Sequence, residues 1–139
     1  MTDKGKHELE SVARYVANLG IEVAEILHSG RLRAKQTAEL FAQYLSPSKG
    51  VSEIKGLAPL DNPGKALELI QASEKPLIIV GHLPHLGRLA SLLILGIPDK
   101  EIVKFTMGGV ICLDRSDDVW SIQWAITLIR EYSSRGKAI

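Results

Sequence analysis

Residues 75–82 read KPLIIVGH. From Leu77 to Val80 every position is apolar, and Pro76 and Gly81 bracket the run. A strand with one wet face alternates, whereas a continuous run of this length signals burial on both faces, as inside a helix-covered sheet. Downstream, Pro84 to Leu95 carries Leu86, Leu89, Ala90, Leu92 and Leu93 at helical spacing. Upstream, Asn62-Pro63 is a helix start, and residues 63–73 carry Ala66, Leu67, Leu69 and Ile70. LAPLDNPG before it reads as a loop, and Val51 to Lys55 as a short strand. Residues 31–46 predict a helix with Thr37, Leu40, Phe41, Tyr44 and Leu45 on one face, stopped by Pro47 and Gly50. The stretch IEVAEILHS, residues 21–29, is the first strand. Leu9, Val12, Ala13 and Val16 mark the first helix, with Thr2 as N-cap and Gly20 as stop. Beyond Pro98, GGVICLDR and WSIQWAIT are two strands around Ser116-Asp117-Asp118, an antiparallel hairpin. The tail from Leu128 reads as a short helix or loose chain. Strands alternating with helices predict a three-layer α/β fold: a mostly parallel sheet flanked by helices, with the C-terminal hairpin extending one side.

The 139 residues suit one domain. Hydrophobic residues make up 45% and aromatics only 5%, so the core should be built of Leu, Ile, Val and Ala. Lys and Arg total 17 against 16 for Asp and Glu, a balance that argues against a nucleic-acid binder working by bulk charge. The single cysteine, Cys112, excludes an intramolecular disulfide and a cysteine-rich metal site, and fits a reducing cytoplasm. Leu89 to Ile97 is too short for a membrane span, and the polar start MTDKGKHELE lacks a signal-peptide core. A cytoplasmic protein without membrane contact is expected.

In open α/β sheets, ligands bind beyond the carboxyl ends of the strands. Two strands end in conspicuous polar groups: EILHS gives way to Ser29, Arg31 and Arg33, and LIIVGH ends on His82 after Gly81, which permits close backbone approach. If these strands are neighbours, Arg33 and His82 converge with two helix N-termini on one anion site, most naturally for phosphate. Ser29 is a helix cap or a phosphate neighbour. Each residue also has a plainer reading. A strand-end histidine is often structural and an arginine in a first helical turn is often solvated; only convergence raises their weight. Arg31 is read as a surface charge, His7 as solvated and His85 as a surface residue rather than a pocket wall. His28 is discounted as a nucleophile on geometry. Cys112, Trp120 and Trp124 are read as packing.

The segment SGRLRAKQTA, Ser29 to Ala38, resembles the Ser-x-x-x-Arg-Ala-x-Gln-Thr-Ala signature of the histidine phosphatase superfamily. VGHLP, Val80 to Pro84, resembles its second histidine motif, and TDKGKHE its Leu-Thr-x-x-Gly segment. GGVICL and WSIQW are similar to the SixA-type phosphohistidine phosphatase branch. The resemblance runs from Thr2 to about Thr127 and implies a phosphoglycerate mutase-like fold. It also implies phosphoryl transfer without metal or other cofactor: a histidine attacks phosphorus, arginines and a second histidine hold the oxygens, and water releases phosphate. Carried over, Arg33 is the motif arginine and His82 the second histidine, with Ser29 beside them.

The family's Arg-His-Gly motif lies on a strand before the Leu-Thr-x-x-Gly segment. Met1 falls inside that segment, and no Arg-His-Gly occurs in the sequence. The resemblance thus implies a domain over 1–139 truncated at its N-terminus, lacking the nucleophile, one phosphate arginine and a central strand. Two functions are expected to compete: a phosphatase acting on phosphohistidine in a protein such as a phosphorelay domain, and an inactive phosphate-binding module. A nucleotide binder is disfavoured because no Gly-rich loop follows a strand, and a receiver because no acidic cluster ends an early strand. By resemblance the missing strand lies between the LIIV and GGVICL strands. Either the two strands close on each other, or a segment from the tail or a second molecule fills the slot; the filled slot, with self-association, is the expectation, because direct closure would crush the pocket.

Overall fold

A computed structural model describes residues 3–58, 60–73, 75–82, 84–98, 100, 108–117 and 119–127. The elements in chain order are α1 (Asp3–Ala17), β1 (Glu25–His28), α2 (Leu32–Leu45), β2 (Val51–Glu53), α3 (Pro63–Gln71), β3 (Leu77–His82), α4 (His85–Leu95), β4 (Gly108–Ser116) and β5 (Val119–Thr127). They form one five-stranded sheet in the order β2-β1-β3-β4-β5. The first three strands of that order are parallel; β4 is antiparallel to β3, and β5 to β4. This is the expected α/β architecture with its terminal hairpin. β1 is shorter than the stretch that suggested it, because the chain reaches ladder position only at Glu25. The expected cap at Thr2 and the tail from Leu128 lie outside the described residues.

Alternation along the strands sorts the core into two layers. Ile26, Ile78, Val80, Val110 and Cys112 face α1 and α2, meeting Ala13, Ala34, Ala38 and Phe41. Their neighbours Leu27, Leu77, Ile79, Ile111 and Leu113 face α3 and α4, meeting Ala66, Ile70, Leu86 and Leu89. β3 is therefore buried on both faces, as its unbroken apolar run requires. Fully burying each of its branched side chains contributes about 1.5–3 kcal/mol.

The helix ends follow local chemistry. Asn62 Oδ1 accepts the Gly64 amide at 2.9 Å and Pro63 occupies the first turn, so α3 begins where its missing N–H costs nothing. α4 stops at Gly96, which takes the left-handed conformation (φ 78°) and returns its amide to Leu92. The hairpin turns after Ser116, with Asp117 at φ 51°.

One expectation is corrected. The slot foreseen between the LIIV and GGVICL strands is closed, because β3 and β4 pair directly from Leu77↔Leu113 to His82↔Gly108. Each orphaned buried amide or carbonyl costs about 1–3 kcal/mol, so pairing the two strands satisfies groups that an open slot would strand. No inserted segment or second molecule is required there. A cavity of about 470 Å³ lies beyond the carboxyl ends of β1 and β2, lined in part by Ser29, Glu53, Lys55, Asp61 and Lys65.

Candidate functional site

β1 and β3 are adjacent and parallel, in the register His28↔Val80. Their carboxyl ends therefore emerge side by side, which places Ser29 next to His82. Ser29 Oγ lies 2.7 Å from His82 Nε2. Ser29 Oγ also accepts the Arg31 amide at 3.4 Å. The hydroxyl is thus a hinge between the first strand, the start of α2 and the tip of β3. It is not the α2 cap: that position belongs to Arg31, whose side chain makes no capping bond.

His82 is half-buried, and burial is the largest cause of a pKa lowered from the ordinary histidine value; the charges of Arg31 and Arg33 push it the same way. Its ring is held toward the neutral form while no anion is present. Both arginines are exposed, and neither guanidinium is in an ion pair among the described residues. The Arg33 charge acts on the His82 ring in the direction that disfavours its protonation. Arg31 is exposed, as expected of a surface charge, yet it weighs on His82 more than Arg33 does. Its place two residues after Ser29, on the turn that leaves the strand, was the available signal.

The remaining histidines separate cleanly. His28 is buried, and its Nδ1 accepts the Gly30 amide at 3.0 Å, which leaves the neutral ring's proton on Nε2. Burial lowers its pKa, opposed by the charges of Glu53 and Glu39. Gly30 itself is at φ 89°, and a Cβ there would stand 2.6 Å from the Glu53 carboxyl carbon. The Glu53 carboxylate thus packs on the bare face of Gly30, a contact that sequence reasoning missed because β2 reads only as a weak strand. His7 is exposed. His85, expected at the surface, is fully buried, and neither ring nitrogen has a hydrogen-bond partner among the described residues. Burial is the main cause of its lowered pKa; the Asp61 charge and the Gly56 backbone oppose the shift without a hydrogen bond of good geometry. It lies inside because the apolar face of α4 begins at this residue and continues through Leu86 and Leu89.

Gly81 admits a close neighbour, but that neighbour is α4: a Cβ on it would meet Leu86 Cδ1 at 3.3 Å. Cys112 is fully buried, and burial pushes its thiol up to about 12, so it is a core residue and not a nucleophile. Trp120 packs in the α3–α4 layer, with the Arg115 guanidinium 5.9 Å from its ring centroid. The Trp124 side chain lies outside the described residues. Among the described residues no group of His, Cys, Asp and Glu could hold a metal ion, and no helix is long and apolar enough to cross a membrane.

The sheet order and the site at its carboxyl end define a three-layer α/β protein whose polar residues gather where such folds bind ligands. No family model matches the sequence. Over 101 residues, 69% of this chain, it is 37% identical to an uncharacterized protein of Picosynechococcus sp., and the chain spans about 60% of that relative's length. Among solved structures, the protein histidine phosphatase SixA complexed with tungstate matches with a TM-score of 0.74 at 22% identity, over 91% of this chain and 83% of that one. A SixA protein from Agrobacterium tumefaciens matches at 0.66 and 20%, over 92% and 82%. Phosphoglycerate mutase from Plasmodium falciparum matches at 0.64 and 15%, over 99% and 91%. The fold is phosphoglycerate mutase-like, and in structure the chain is similar to SixA histidine phosphatases.

Proposed function

We propose that the carboxyl ends of β1 and β3 bind a phosphoryl group, and that the chain serves a phosphatase of the SixA type whose nucleophilic histidine is not among residues 1–139 and which acts on phosphohistidine carried by a protein such as a phosphorelay domain. The observation that carries this reading is the 2.7 Å contact between Ser29 and His82, together with two arginines that have no ion pair among the described residues. An uncompensated cationic corner with a hydroxyl and an imidazole already in place is suited to a dianion. Arg33 supplies charge-assisted N–H donors to phosphoryl oxygens. His82, neutral when the site is empty, takes up a proton as the dianion arrives and then donates from its ring. Ser29 keeps that ring oriented. The likeness to SixA supports the substrate class.

A second reading is a phosphate-binding module without turnover. It is favoured by the state of the imidazoles near Ser29: His28 is buried with Nδ1 engaged, and His82 Nε2 is bound to the hydroxyl. Neither is placed as a free nucleophile. Incubation of the chain with a phosphohistidine-bearing phosphorelay domain separates the two. Phosphate release that disappears in His82→Ala supports the phosphatase. Binding of phosphate without release supports the module. Neither binding nor release contradicts both.

A further inference from the structure

Resting on the phosphoryl-site reading above, we infer that Arg31 is a second phosphoryl-oxygen ligand, working beside Arg33. Arg31 leaves β1 on the turn that carries Ser29, and its own amide donates to Ser29 Oγ, the atom that contacts His82. Its backbone is thereby fixed relative to the imidazole. The residue is extended (φ −66°, ψ 146°) at the start of α2, and its side chain makes no capping bond there. The helix does not need this guanidinium. Nor does any acid: Arg31 has no ion pair among the described residues.

Electrostatics point the same way. Arg31 and Arg33 both disfavour the charged form of His82, and Arg31 has the larger effect. Two guanidinia without ion pairs among the described residues, both disfavouring the charged form of a half-buried imidazole, keep a standing repulsion. An arriving dianion removes it. A phosphoryl group presents three terminal oxygens, more than one arginine fork and one imidazole satisfy, so a second fork finds acceptors still open. Arg31 therefore adds affinity for dianions over monoanions, and its contribution is not replaced by Arg33.

The experiment is a calorimetric titration of inorganic phosphate at pH 7.5 into wild type, Arg31→Ala, Arg31→Lys, Arg33→Ala and Lys49→Ala. Lys49 is a control for loss of one positive charge, because its amide bonds to Ala24 at the opposite end of β1. The expected result is a loss of about tenfold or more for Arg31→Ala, an intermediate loss for Arg31→Lys, and wild-type affinity for Lys49→Ala. Unchanged thermal unfolding of Arg31→Ala would accompany it, since the side chain caps nothing. Wild-type affinity in Arg31→Ala together with a loss in Arg33→Ala would overturn the inference and leave the phosphoryl site standing. An equal loss in Lys49→Ala would also overturn it, reducing the effect to net charge. A wild-type protein that binds no phosphate overturns the site and Arg31's role in it together.

Discussion

Ser29 Oγ and His82 Nε2 meet at 2.7 Å although 53 positions separate them in the chain. The contact exists because β1 and β3 are parallel neighbours with His28 level with Val80, so the residues just beyond β1 lie beside the last residues of β3. It joins the two motifs that sequence reasoning marked separately. Ser29→Ala removes it, along with the acceptor for the Arg31 amide. The expected cost is about 0.5–1.5 kcal/mol of folding stability, measured by urea denaturation, with weaker phosphate binding beside it. Binding unchanged in Ser29→Ala would show that His82 needs no orientation from the hydroxyl.

Phosphate binding should raise the His82 pKa. In the empty site, burial and the two arginines hold it below the ordinary value; a bound dianion opposes both effects. By linkage, ligand and proton then favour each other's binding. Titration of the His82 ring followed by NMR, with and without phosphate, checks this. An upward shift is expected in the phosphate-bound protein, whereas a shift of the same size in Arg33→Ala would mean the anion sits elsewhere.

Gly30→Ala should lower stability by about 1–2 kcal/mol from the left-handed backbone alone. The added methyl would also strike the Glu53 carboxylate, which must swing aside. Chemical denaturation reads the loss. A variant as stable as wild type would mean that the turn after β1 relaxes freely.

His85 should make the fold acid-sensitive. Its folded pKa is depressed, so the unfolded chain binds a proton first as pH falls. Its stability share is fully present above about pH 6.5 and is lost as pH falls through the folded value, at up to about 1.4 kcal/mol per pH unit. His28 and His82 are shifted in the same direction. Replacing the unpartnered ring with an apolar side chain, His85→Leu, is expected to leave stability at pH 7.5 unchanged or raised and to flatten the slope below 6.5. Denaturation curves between pH 5 and 7.5 test it; a large loss at pH 7.5 with an unchanged slope would contradict the assignment.

The sequence made some of this legible and hid the rest for identifiable reasons. The apolar run Leu77–Val80 announced a strand buried on both faces, and Asn62-Pro63 placed the start of α3, because both signals are local. Ser29, Arg33 and His82 could be selected from chemistry and strand-end position. Pairing of β3 with β4 was not readable, since it depends on which of two backbone partners closes an edge, and side-chain pattern is silent on that. His85 was misplaced because a polar residue in the first turn of a helix looks solvated until the neighbouring layer is known. The weight of Arg31 on His82 required the turn geometry at Ser29.

Titrating phosphate into wild type, Arg33→Ala and His82→Ala decides whether the ends of β1 and β3 form one anion site. The account predicts a single site in the wild type, weakened by about tenfold or more in each variant, the equivalent of one charge-assisted hydrogen bond lost. Equal affinities across the three proteins would contradict it.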